Sequence, residues 1–124
     1  MNLNGKRILV TGGASFIGSH LTDALVHKGA KVRVVDNLSS GRLANIQSHI
    51  ESGQVDFVEA DLTEPGVAQK VVDGTQIVFH LAADHGGRGY VDLHQAACTT
   101  NLALDGMLFR ACYELGVEKV VYAS

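Results

Sequence analysis

The sequence predicts an open, doubly wound parallel α/β sheet, and three observations carry that prediction. Short β-branched runs alternate with segments of helical apolar spacing, glycines mark the junctions, and the connections are short. A chain of 124 residues has room for one domain. Its 46% apolar and 19% charged residues suit a packed core and argue against disorder.

The elements follow in order. Arg7–Val10 is the first strand, and Phe16, Ile17, His20, Leu21, Ala24 and Leu25 then mark one face of a helix that Gly29 closes. Lys31–Val35 is the second strand, followed by a helical stretch from about Leu43 to Ile50. Val55–Val58 is the third strand, and Pro65 and Gly74 bracket a helix at Val67–Val72. Gln76–Leu81 is the fourth strand. The longest helix sets Leu93, Ala97, Thr100, Leu104, Leu108, Ala111 and Leu115 on one core-facing stripe before Gly116 ends it. Lys119–Tyr122 is the fifth strand. The runs read as strands buried on both faces of a parallel sheet, and the β-α alternation implies right-handed crossovers. The fifth strand leads straight to Ala123 and Ser124, so residues 1–124 read as one domain whose sheet is incomplete, with an uncovered last strand.

Ten Lys+Arg against thirteen Asp+Glu give a net charge of −3 without a basic cluster, which disfavours a nucleic-acid partner. Apolar runs such as Val32–Val35 are far short of the ~20 residues of a membrane helix. The segment Met1–Arg7 has no apolar region suited to a signal peptide. The expectation is a cytoplasmic chain. Cys98 and Cys112 share the long helix, about 21 Å apart at ~1.5 Å per residue, which is beyond disulfide reach. Reduced thiols fit a reducing compartment. His80, His85 and His94 lack a familiar metal-ligand spacing, so no metal is expected.

The chemistry lies at the first turn, Val10-Thr11-Gly12-Gly13-Ala14-Ser15-Phe16-Ile17-Gly18. A glycine lets the chain reverse, a small mid-turn residue lets backbone approach a pyrophosphate, and a glycine in the first helical turn packs helix on strand. Amides at the helix N-terminus, with roughly half a positive charge from the dipole, face the anion. Gly12 and Gly18 fill the outer positions, and Ser15 stands in the middle. Two readings of Ser15 stand: a side chain in the way of the cofactor, or a hydroxyl donating to a phosphate oxygen. No Gly-Lys-Ser/Thr is present, so an ATP-binding loop is not supported. Asp36 ends the second strand, 18 residues after Gly18, where it would accept the ribose hydroxyls of a dinucleotide and repel a 2′-phosphate. That favours NAD over NADP, with Arg33 and Arg42 the cations able to soften the preference.

Together the Thr11–Leu21 turn, Asp36-Asn37-Leu38-Ser39-Ser40-Gly41, Asp61-Leu62, His80-Leu81-Ala82-Ala83 and Val120–Ser124 resemble the extended short-chain dehydrogenases/reductases. More narrowly, they resemble the NAD-dependent sugar-nucleotide epimerase/dehydratase family, over the whole chain. The resemblance implies a Rossmann-type sheet. It implies that Gly12, Ser15 and Gly18 hold the pyrophosphate with the amides of Phe16 and Ile17, and that Asp36 holds the adenosine ribose beside Asn37, Ser39 and Ser40. Asp61 and Leu62 would border the adenine. Leu81, Ala82 and Ala83 would line the nicotinamide-ribose side, and Asn101 matches the family's helix asparagine. Ser15 departs from the usual glycine.

The family's catalytic Ser or Thr and its Tyr-x-x-x-Lys fall beyond Ser124, and Tyr90 and Tyr113 are followed four residues later by His94 and Val117, not lysine. No catalytic residue is therefore assigned. Gly86 and Gly87, in the loop after the fourth strand, are similar to the pair of the GDP-mannose 3,5-epimerase branch. Arg88 reads either as a contact to a substrate oxygen or phosphate or as part of a solvated loop. In the relatives the helix equivalent to Leu93–Leu115 helps form a homodimer face. The resulting expectation is the NAD-binding part of a nucleotide-sugar epimerase/dehydratase, inactive alone. The rivals are a free-standing NAD-sensing module and a partner-interaction domain.

Overall fold

The computed structural model describes residues 2–84 and 92–123. Five parallel strands, β1 (Arg7–Thr11), β2 (Lys31–Asp36), β3 (Val55–Glu59), β4 (Ile77–His80) and β5 (Lys119–Tyr122), lie in the order β3-β2-β1-β4-β5. The order reverses direction at β1, which pairs with β2 on one side and β4 on the other. Such a reversal opens a crevice at the carboxyl ends of the strands, where open α/β sheets bind ligands.

Side chains alternate across the pleat, so β1 feeds two cores. Ile8 and Val10 pack with Val32, Val34, Leu25 and Ile46 on one face. Leu9 packs with Val35, Val78, Val71, Leu108 and Ala111 on the other. Helices α1 (Phe16–His27) and α2 (Gln47–Glu51) cover the first face, and α3 (Val67–Val72) and α4 (Gln95–Glu114) the second. The three central strands are buried on both faces as the sequence predicts, but the edge strands are not: β3 and β5 carry half-buried and exposed residues.

Three sequence expectations are corrected. On α1 the buried positions are Gly18, Ser19, Thr22 and Leu25, while Phe16, Ile17, His20 and Ala24 face outward. Small residues let the helix lie close to the sheet: a Cβ on Gly18 would stand 2.1 Å from the Gly12 carbonyl oxygen. The segment from Leu43 to Ile50 is not one helix. A 3-10 turn at Leu43–Asn45 precedes α2, and between them Ile46 leaves helical geometry (φ −125°, ψ 8°) to place its side chain in the core. The long helix starts at Gln95, capped at His94, so Leu93 lies outside it and is 82% exposed. Its packing face is Leu104, Met107, Leu108, Ala111 and Cys112; Thr100 and Leu115 are exposed.

Cys98 and Cys112 are both free. No helix among the described residues is long and apolar enough to cross a membrane, and no group of metal-ligating side chains occurs among them.

Candidate functional site

The loops leaving β1, β2, β3 and β4 meet at the carboxyl edge of the sheet and enclose a cleft of about 510 Å³. Gly12 and Ser15 come from the first loop, Asp36, Asn37, Ser39 and Ser40 from the second, and Asp61 and Leu62 from the third. Leu81, Ala82 and Ala83 come from the fourth, and Asn101 reaches in from α4. Phe16 and Ile17 instead border a second cavity of about 550 Å³, which also touches Ser15, Leu81–Ala83 and Asn101. Gly18 lines neither and is buried beneath the turn. Gly86, Gly87 and Arg88, and with them His85 and Tyr90, lie outside the described residues.

The turn requires its glycines for different reasons. Gly12 holds φ +70°, and a Cβ there would press on the backbone of Leu81 and Ala82 at 3.0–3.2 Å. Gly13, absent from the sequence-based site, has no room either: its Cβ would stand 2.6 Å from a Val34 methyl. Ser15 is the N-cap of α1. Its Oγ accepts the Gly18 amide at 3.2 Å and donates its one proton to the Gly12 carbonyl at 2.7 Å. The hydroxyl is turned into the turn, which removes the reading in which it donates to a ligand in this conformation. The amides of Phe16 and Ile17, by contrast, meet no acceptor among the described residues.

Asp36 is buried at the end of β2 and ties the second loop to the first. Oδ2 accepts the Ala14 amide at 3.0 Å and Oδ1 the Leu38 amide at 2.8 Å. An ionised carboxylate has about four acceptor directions, of which these amides take two, and Asp36 lines the cleft. The Leu38 bond is made in a left-handed conformation (φ 59°), a strained geometry for a leucine. Gly41 approaches so closely that a Cβ would stand 2.8 Å from Asp36 Oδ2. Asp61 forms a similar local turn, its Oδ1 accepting the Thr63 amide at 2.8 Å and hydroxyl at 2.7 Å. Asp36, Asp61 and Asp84 all line the cleft, and among the described residues no lysine or arginine does. Arg33 is committed elsewhere, to Asp56 and to the carbonyls of Val71 and Asp73.

Asn101 clamps the loop after β4. Its Oδ1 accepts the Asp84 amide at 2.7 Å, and its Nδ2 donates to the Asp84 carbonyl at 2.8 Å. Beside it runs a network, buried at Thr11 and His80, that sequence reading missed. Thr11 Oγ1 accepts the amides of Leu81 (3.1 Å) and Ala82 (3.0 Å), which fills both of its lone pairs, so its proton goes to His80 Nδ1 at 2.7 Å. His80 therefore carries its proton on Nε2 and donates it to Asp105 Oδ1 at 2.8 Å. Tyr122 OH donates to Asp105 Oδ2 at 2.9 Å, and its ring stacks on His80. Burial holds His80 below the usual imidazole range, outweighing the opposing pull of Asp105. Tyr122 is raised above the ordinary phenol value, first by its hydrogen bond to Asp105 and then by that group's charge. No local signal marks Asp105 in the sequence. Only its spacing of four from Asn101, one helical turn along the same face, connects it to the cleft.

Known proteins share this fold. A family model described as the NAD dependent epimerase/dehydratase family matches residues 8–124. The UDP-glucose 4-epimerase of Mycolicibacterium smegmatis is 38% identical over 119 residues, covering 95% of this chain and 38% of that protein. Among solved structures, an epimerase from Methanothermobacter thermautotrophicus superposes with a TM-score of 0.87 at 36% identity, covering 98% of this chain and 36% of that one. The dTDP-glucose 4,6-dehydratase DesIV of Streptomyces venezuelae, solved with NAD bound, gives 0.82 at 28% identity, over 92% of this chain and 38% of its own. The chain thus spans little more than a third of the length of these relatives.

Proposed function

We propose, from the premise that this chain belongs to the NAD-dependent epimerase/dehydratase family, that it is the NAD-binding part of a nucleotide-sugar epimerase or dehydratase. The observation that carries the reading is the cleft at the sheet reversal. A glycine cradle closed to any Cβ stands beside two helix amides that have no acceptor among the described residues, with a buried carboxylate at the next strand end. Those features fit a dinucleotide. Amides without an acceptor among the described residues suit a pyrophosphate, a carboxylate at Asp36 suits ribose hydroxyls, and Ser15 borders both the cleft that holds Asp36 and the cavity at Phe16 and Ile17.

In this reading Gly12, Ser15 and Gly18 shape the turn, and Phe16 and Ile17 donate to the pyrophosphate. Asp36 accepts from the adenosine ribose beside Asn37, Ser39 and Ser40, and Asp61 and Leu62 border the adenine. Leu81, Ala82, Ala83 and Asn101 line the nicotinamide-ribose side. Gly86, Gly87 and Arg88 belong to the sugar-nucleotide side. The chemistry that NAD supplies when bound is reversible uptake of a hydride from a sugar carbon. Three carboxylates with no facing cation among the described residues disfavour a 2′-phosphate, hence NAD over NADP. Neither a Ser/Thr nor a Tyr-x-x-x-Lys in the family's positions stands in these 124 residues, so the chain alone binds without turning over. In the whole protein the face of α4 is the dimer contact.

Calorimetric titration with NAD and, separately, NADP tests this reading. Binding of NAD with NADP at least tenfold weaker is the expected result. Failure to bind either would overturn the assignment, and turnover of any UDP-, GDP- or dTDP-sugar by the pure chain would overturn its catalytic half.

A further inference from the structure

The second cavity continues the first across the turn, because Ser15, Leu81, Ala82, Ala83 and Asn101 border both. A dinucleotide lying over Ser15 with its ribose at Asp36 therefore leaves the first cleft into the second. The second cavity is walled mainly by apolar groups, Phe16, Ile17, Leu81, Ala82 and Ala83, and among the described residues one carboxylate stands on its border, that of Asp105. The Asp105 side chain is one-fifth exposed, a mostly dry position in which a charge acts over a longer range than in water.

That charge is not cancelled. Both oxygens receive hydrogen bonds from neutral donors, Nε2–H of His80 and OH of Tyr122. Protonating His80 would force a second N–H against Thr11 Oγ1, whose lone pairs are already taken by the amides of Leu81 and Ala82. The imidazole thus stays neutral, and among the described residues no lysine or arginine lies within ion-pair distance of Asp105.

Resting on the NAD reading above, we infer that Asp105 sets the preference of this site for the oxidation state of the dinucleotide, its uncompensated carboxylate favouring the cationic nicotinamide of NAD+ over the neutral ring of NADH. The two forms differ by one charge and one hydride at that ring and share everything else. The ratio of their affinities therefore reports the electrostatics of the second cavity and cancels contributions from Asp36 and the phosphate turn. A site with this bias holds its cofactor in the form ready to accept a hydride and returns that hydride readily. Both properties suit a reaction that ends with the dinucleotide unchanged.

The test is the dissociation constant of NAD+ and of NADH, by calorimetry and by NADH fluorescence, on the full chain and on Asp105→Asn. The substitution keeps the shape, an acceptor for His80 Nε2–H and a donor toward the Tyr122 oxygen, and removes only the charge. The expected result is that Kd(NADH)/Kd(NAD+) falls about tenfold in Asp105→Asn, equivalent to 1.4 kcal/mol. In Asp105→Glu and in Tyr122→Phe, both of which retain the charge, the ratio should stay within about threefold of the parent. An unchanged ratio in Asp105→Asn, with both forms still bound, would overturn the inference and leave the NAD reading intact. An equal fall in Tyr122→Phe would overturn it too, because packing rather than charge would then be responsible. If neither form binds the unaltered chain, the NAD reading itself fails and this inference with it. Should Asp105→Asn not fold, Asp105→Ser is read by the same ratio.

Discussion

Thr11 and His80 are joined by a hydrogen bond of 2.7 Å between neighbouring carboxyl-terminal strand ends, and the same threonine oxygen receives the amides of Leu81 and Ala82. One hydroxyl therefore fixes the imidazole tautomer and the exit direction of the loop that lines both cavities. Replacing Thr11 by Val leaves the Ala82 amide and the His80 ring nitrogen without a partner, while the Leu81 amide keeps the Thr11 carbonyl at 3.2 Å. The expected cost is about 2–6 kcal/mol, from the penalty of about 1–3 kcal/mol for each of the two unsatisfied buried groups. Urea denaturation measures it, and a loss below about 0.5 kcal/mol would show that water replaces the hydroxyl freely.

The glycines divide sharply by surroundings. Gly18→Ala must place a methyl 2.1 Å from the Gly12 carbonyl oxygen, so the turn has to open. We expect a loss of about 3 kcal/mol or more, in the range of overpacked cores, together with loss of NAD binding. Gly106, in the exposed face of α4 with nothing within 4 Å of its Cβ position, behaves oppositely. Gly106→Ala should stabilise the chain by about 0.5–1 kcal/mol, the helix propensity difference. Thermal melts of the two variants side by side check both signs.

Asp36 has two duties, one structural and one toward the ligand. In Asp36→Asn one of the two amides from Ala14 and Leu38 loses its acceptor, and the charge at the ribose position disappears. The affinity for NAD should fall about ten- to a hundredfold, from the 1.5–3 kcal/mol of a charged hydrogen bond. The NAD/NADP ratio should fall with it. Equal NAD affinity in the variant and the parent, read by calorimetry, would contradict the assignment.

His80 makes stability depend on pH in a definite direction. Its folded-state pKa lies below the unfolded value of 6.5, so between the two the unfolded chain binds more protons. The contribution is intact above pH 6.5 and is lost as pH falls through 6.5 toward the folded value, by at most about 1.4 kcal/mol per pH unit. His80→Gln, which can still donate to Asp105, removes that slope. Denaturation midpoints of both chains at pH 7.5 and 5.5 give the difference, and identical slopes would refute it.

Cys112 is buried among Leu108, Ala111 and Val72, and burial pushes its thiol up to about 11. A thiol reagent at pH 8 should therefore titrate Cys98 first in the native chain and reach Cys112 only on unfolding. Simultaneous reaction of both would mean that α4 opens readily.

Much of this molecule was legible because its signals are local. A β-branched run specifies a strand, and a helix packed against it has to begin and end within a few residues. Gly12, Asp36, Asp61 and Leu81 each stand at or within two residues of a strand's carboxyl end, so they come to one cleft once the strands are parallel and in order. The glycines needed no partner elsewhere to be read, since a close backbone approach excludes a Cβ whatever follows. Tertiary structure decided what depends on phase and on pairs distant in the chain. The periodicity of α1 pointed to Phe16 and Ile17 as its inner face, but the close approach permitted by Gly18 turned Ser19 and Thr22 inward and left those two 78% and 70% exposed on the second cavity. The break at Ile46 follows from a core position that a continuous helix would miss. The meeting of Thr11, His80, Asp105 and Tyr122 joins segments up to 111 residues apart. No spacing announces that meeting, because only the packing of α4 across β4 and β5 brings those polar atoms within bonding distance, where the burial of Thr11 and His80 makes both require a partner.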